Sequence, residues 1–84
     1  MAKTKIQNRP LHAVARDIRN DWTNPYFGAV PYLQAMSLLD SIDDMYGFDS
    51  AESIVRYFLS NASTWRGETA KRIKKELKAM VGMK

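Results

Sequence analysis

The sequence predicts an all-α fold: a small four-helix domain ending in an antiparallel helical hairpin. Three observations carry that expectation. Apolar residues recur every three or four positions through most of residues 10–81. No segment alternates polar and apolar residues as a half-buried strand does. Prolines and glycines fall at the joints, with Pro10 and Pro31 where helices would open and Gly47 and Gly82 where they would close. At 84 residues the chain makes one domain at most. Residues 1–8 read as a disordered basic tail, and 9–84 as a single helical domain without repeats or a long linker.

The first helix starts at Pro10, a residue suited to the first helical position. Leu11, Val14, Ile18 and Trp22 then share one face, and Trp22 continues the stripe as a core residue. Asn24-Pro25 ends it, because the residue before proline avoids helical backbone. The loop that follows carries adjacent aromatics, Tyr26 and Phe27. They either pin the loop to the core or offer a contact for a base or a partner. A second helix opens at Pro31, with Tyr32, Ala35, Met36, Leu39, Ile42, Met45 and Tyr46 on one wide apolar face, and Gly47 closes it. The third is capped by Asp49 or Ser50, with Asp49 and Glu52 in capping-box spacing. Ile54, Val55, Phe58, Leu59 and Ala62 form its buried face, and Asn61 ends it in the left-handed conformation that asparagine tolerates. Ser63 or Thr64 caps the fourth helix, which places Trp65, Arg66 and Gly67 in its first turn. Its core stripe is Ala70, Ile73, Leu77, Met80 and Val81.

Composition narrows the chemistry. There is no cysteine, so neither disulfides nor thiolate metal sites can form. His12 is the only histidine, a poor start for a metal site, and no metal or cofactor is expected. Asp40 and Asp44, four residues apart on the expected second helix, share a face with which to grip a cation or a basic patch. An EF-hand is excluded by the missing alternating ligands, and a solvated acidic face is the simpler reading. There is no phosphate-binding glycine loop, no His–carboxylate pair on one helix and no activated nucleophile, so no enzyme is expected. No stretch approaches the ~20 apolar residues of a membrane span. The start, Met1 to Asn8, does not read as a signal peptide. A cytoplasmic setting is expected.

Charge is segregated. Residues 21–52 hold six acidic residues and no lysine or arginine, while residues 53–84 hold eight basic residues against two acidic ones. Such blocks create local fields larger than the net charge of +4 suggests. Either the acidic middle neutralises the basic ends, within one fold or across a homodimer, or the basic end is a working surface. Lys71, Lys74, Lys75 and Lys78 follow i, i+3, i+4 and i+7 spacing and so share a helix face, suited to phosphates. Arg66 can hold a phosphate with two hydrogen bonds, and Trp65 can stack on a base. Against this stands a solvated lysine face with Trp65 plugging the core. A helix-turn-helix fits poorly, since Tyr57 stands where a small residue is needed and Gly67 where an apolar one is.

The segment around Leu39-Asp40-Ser41-Ile42, Tyr46-Gly47, Ser53 through Ala70 and Lys74-Lys75-Glu76-Leu77 resembles small proteins encoded by tailed bacteriophages and prophages. The resemblance covers residues 31–81, and the stretch Ser60-Asn61-Ala62-Ser63-Thr64-Trp65-Arg66-Gly67-Glu68 is its most distinctive part. That group has no established activity, so the resemblance transfers no site residues. It implies a phage accessory protein in a bacterial cytoplasm that acts by binding. The leading expectation is therefore non-enzymatic contact with DNA or RNA through Trp65, Arg66, Lys71, Lys74, Lys75 and Lys78. The alternative is a module that binds and modulates a host protein or defence system through Tyr26, Phe27, Asp40 and Asp44.

Overall fold

The computed structural model describes residues 9–82, so the expected basic tail lies outside the described residues. The chain runs α1 (Leu11–Asp21), a 3-10 turn (Phe27–Ala29), α2 (Val30–Met36), β1 (Met45–Tyr46), β2 (Asp49–Ser50), α3 (Ala51–Ser60) and α4 (Glu68–Met80). The fold is mainly helical, but it is not all-α. β1 and β2 form an antiparallel hairpin, pairing Met45 with Ser50 and Tyr46 with Asp49.

Most expected apolar stripes meet in one core. Leu11, Val14 and Ile18 of α1, Leu33 and Met36 of α2, Val55 and Phe58 of α3, and Ile73 and Leu77 of α4 are all buried. α2 packs chiefly on α3, and α4 packs on both α1 and α3. Two arginines tie the chain ends to this frame. Arg9 donates from Nε and a terminal nitrogen to the two carboxylate oxygens of Glu76, at 2.9 Å each, and from its other nitrogen to Asp17 at 2.6 Å. Arg56 donates to the Val81 carbonyl just past α4 at 2.7 Å and to Glu52 at 2.9 Å. Sequence spacing points to neither long-range contact.

The second helix is much shorter than its apolar pattern predicts. α2 stops at Met36, and the chain turns so that the Asp40 and Leu39 carbonyls accept from the backbone N–H groups of Leu11 and His12, at 2.8 and 2.9 Å. The first turn of a helix has N–H groups without intrahelical partners, and the apolar ring of Pro10 has no acceptor atom to cap them. The segment after α2 caps α1 instead, a tertiary demand that overrides local periodicity. Residues expected on the α2 face consequently leave the core: Met45 and Tyr46 are exposed, and Ile42 is only partly buried. Gly47 is the turn of the hairpin rather than a helix cap, and its φ of +63° suits that turn.

Other boundaries shift as well. Pro10 precedes α1 as its N-cap rather than opening it. Ser50 caps α3, its Oγ accepting from the Ser53 N–H at 3.1 Å, so the Asp49–Glu52 capping box does not form. Asn61 ends α3 at φ −107°, outside the left-handed region, with its amide donating to the Tyr57 carbonyl. No helix among the described residues is long and apolar enough to cross a membrane.

Candidate functional site

The basic end of the molecule is set by where α4 starts. It does not start at Ser63 or Thr64. Residues 62–65 form a turn in which the Trp65 N–H donates to the Ala62 carbonyl at 3.0 Å. Gly67 then adopts φ +113° and ψ −178°, a conformation available almost only to glycine, and the helix begins at Glu68. Trp65 therefore lies before the helix and points inward.

Its indole is 2% exposed and stacks on Trp22, with ring centroids 5.7 Å apart and planes 9° apart. Phe58 meets both rings edge-on, each at 6.3 Å. Such pairs contribute about 0.5–1.5 kcal/mol each beyond area burial. The indole N–H donates to Asp21 at 2.8 Å, which satisfies its one polar atom. Lys74 takes the remaining approach: its Nζ lies 5.9 Å from the Trp65 ring centroid and donates to the Trp65 carbonyl at 2.6 Å. The expectation that Trp65 stacks on a base is corrected, because its faces are occupied within the fold.

Around this plug lies a shallow depression of about 530 Å³ lined by Trp65, Arg66, Gly67, Glu68, Ala70, Lys71 and Lys74. Partial burial holds the Lys74 ammonium below the usual lysine pKa, and the nearby charges of Lys78 and Arg66 push in the same direction. Arg66, Lys74 and Lys78 thus form one electrostatic group, with exposed Lys71 at its rim. Lys75 is exposed one helical turn after Lys71. Arg72 belongs elsewhere, facing Asp17, Asn20 and Asp21 of α1. Among the described residues, none of Arg66, Lys71, Lys75 and Lys78 forms an ion pair.

Comparison with family models, with curated proteins and with solved structures finds no match. The site therefore rests on its own geometry.

The alternative residues divide. Tyr26 is 46% exposed and Phe27 79% exposed, their ring centroids 4.9 Å apart. Asp40 is exposed, its carboxylate 3.6 Å from the His12 ring. Asp44 does not share a helix face with it. Its carboxylate accepts from the backbone N–H groups of Asp40 and Ser41, at 3.0 and 2.9 Å, and these bonds hold its pKa below the usual carboxylate range. Asp44 shapes its own loop. No group of three or more potential metal-ligating side chains occurs among the described residues. Sequence reading passed over Phe48, which stands fully exposed beside Gly47 at the hairpin tip. The adjacent Gly47-Phe48-Asp49 is a turn-like signal, masked by the apolar run before it.

Proposed function

We propose that this protein is a non-enzymatic nucleic-acid-binding domain, with Arg66, Lys71, Lys74, Lys75 and Lys78 as its contact surface. One observation carries the reading. Five of the nine acidic residues are engaged elsewhere: Asp17 and Glu76 hold Arg9, Glu52 holds Arg56, Asp21 holds Trp65, and Asp44 holds its own backbone, while Asp40, Asp43 and Asp49 do not line the depression. Arg66, Lys71 and Lys75 are left facing solvent, with Lys74 and Lys78 partly exposed beside them and Glu68 the one carboxylate on the depression's lining. Cations so placed gain by neutralising phosphates and releasing counterions. Phosphate contacts of this kind bind without reading sequence. The resemblance to phage and prophage proteins fits such a role and adds the setting of an infected bacterial cell.

Fluorescence anisotropy tests the proposal, using labelled duplex DNA, single-stranded DNA and RNA across a salt series. If the five cations meet four or five phosphates of a duplex, log K falls with log salt at a slope near −4. Changing Lys71, Lys74, Lys75 and Lys78 together to glutamine abolishes binding. A folded wild-type protein that binds none of the three at low salt overturns the reading.

A second reading has its own observation. The exposed Tyr26–Phe27 pair is apolar surface of the kind found at protein interfaces, so binding to a host protein is the alternative. Capture of one defined partner that survives nuclease treatment and is lost on Phe27→Ala supports it.

A further inference from the structure

The hairpin and the depression are complementary. Phe48 stands fully exposed at the tip, flanked by Met45 at 59% and Tyr46 at 39% exposure. The tip is rimmed by acid: Asp43 and Asp44 precede β1, Asp49 lies on β2, and no lysine or arginine occurs anywhere from residue 21 to 52. The depression has the inverse charge, with the aliphatic stems of Lys71 and Lys74 beside the buried Trp65 and Ala70 and the cations of Arg66 and Lys71 at its rim. Its volume of about 530 Å³ exceeds that of one aromatic side chain.

One chain cannot satisfy itself. The hairpin leads directly into the start of α3, and the depression follows the end of α3. α3 has 10 residues, so about 15 Å of helix separates the two features. We propose that Phe48 of one copy docks into the Trp65–Lys71 depression of a second copy, with Asp43 and Asp49 facing Arg66 and Lys71. Each copy carries one tip and one depression, so the contact is either reciprocated in a two-fold dimer or repeated head-to-tail in open chains or rings. A single aromatic anchor with a charged rim makes a small interface, so the association is weak and salt-sensitive. It also covers cations assigned above to nucleic acid, so assembly and nucleic-acid binding compete. The self-docking is nonetheless tested without any nucleic acid present.

Sedimentation velocity of the full chain over a concentration series provides the test. Wild type forms dimers or larger species at low ionic strength and reverts towards monomer as salt rises. Phe48→Ser and Lys71→Glu change exposed side chains and leave the far-UV spectrum unchanged, yet each is monomeric. Mixing the two restores one contact, between the intact tip of the Lys71→Glu chain and the intact depression of the Phe48→Ser chain, and stops at a 1:1 pair. A wild type that stays monomeric, an assembly indifferent to Phe48→Ser, or a mixture that stays monomeric overturns the proposal.

Discussion

The indole of Trp65 lies flat on that of Trp22, 5.7 Å away and within 9° of parallel, although the two are far apart in the chain. This contact joins the end of α1 to the turn before α4. Trp65→Ala leaves a large cavity and removes the Asp21 hydrogen bond, at a cost of about 3–5 kcal/mol. That is a large share of the ~5–15 kcal/mol stability of a typical domain. Trp65→Phe keeps an aromatic ring but leaves Asp21 without its donor, and costs less. Urea denaturation followed by far-UV circular dichroism gives both values and their order.

Gly67 holds α4 in place through its backbone alone. No atom lies within 4 Å of where a Cβ would stand, so Gly67→Ala meets no clash. The penalty comes from φ +113°, and amounts to about 1–3 kcal/mol. The same urea experiment measures it. A neutral result would mean that the helix start relaxes, and the positions of Arg66 and Lys71 would then shift with it.

Asp17 and Arg9 make stability pH-dependent. The hydrogen bond from Arg9 holds the Asp17 carboxyl below the usual carboxylate range. Its contribution is therefore fully present above the unfolded pKa of about 4 and is lost as pH falls through the lower, folded value. Wild type is more stable than Asp17→Asn at neutral pH by up to about 1 kcal/mol, as befits a half-exposed pair. Below about pH 4 the gap closes. Thermal melts of the two proteins from pH 7 to pH 2 follow it, and a gap that stays constant to the acid end would contradict the assignment.

Arg72 separates general basicity from a defined surface. It shares α4 with the lysines but faces the acids of α1. Arg72→Gln should therefore leave nucleic-acid affinity and its salt slope nearly unchanged, whereas Lys71→Gln lowers affinity and reduces the slope by about one phosphate contact. Anisotropy titrations at several salt concentrations compare the two. Equal losses would point to non-directional attraction by net charge.

Much of the helical frame was legible in the sequence because burial follows spacing. Leu11, Val14 and Ile18, then Ile54, Val55 and Phe58, then Ala70, Ile73 and Leu77 repeat at helical intervals, and all of them are buried. The lysine face of α4 was legible for the same reason, since the helix geometry that buries Ile73 and Leu77 turns Lys71 and Lys75 outward. Trp22 keeps its predicted place at the end of the α1 stripe.

Only the tertiary structure decided the rest. An apolar run from Tyr32 to Tyr46 is locally compatible with one long helix. It breaks after Met36 because α1 needs the Leu39 and Asp40 carbonyls for its first N–H groups, a demand from a segment nearly thirty residues away. Trp65 sits in a sequence that reads as a helix start. Its ring turns inward because Trp22, Phe58 and Asp21 offer it stacking and a hydrogen-bond acceptor. The sequence by itself determined which residues are apolar, at what spacing, and where charge accumulates. The fold decided which of those charges are paired, because pairing depends on which segments meet: Arg9 reaches Glu76 across 67 positions, while the lysines of α4 meet no acid among the described residues.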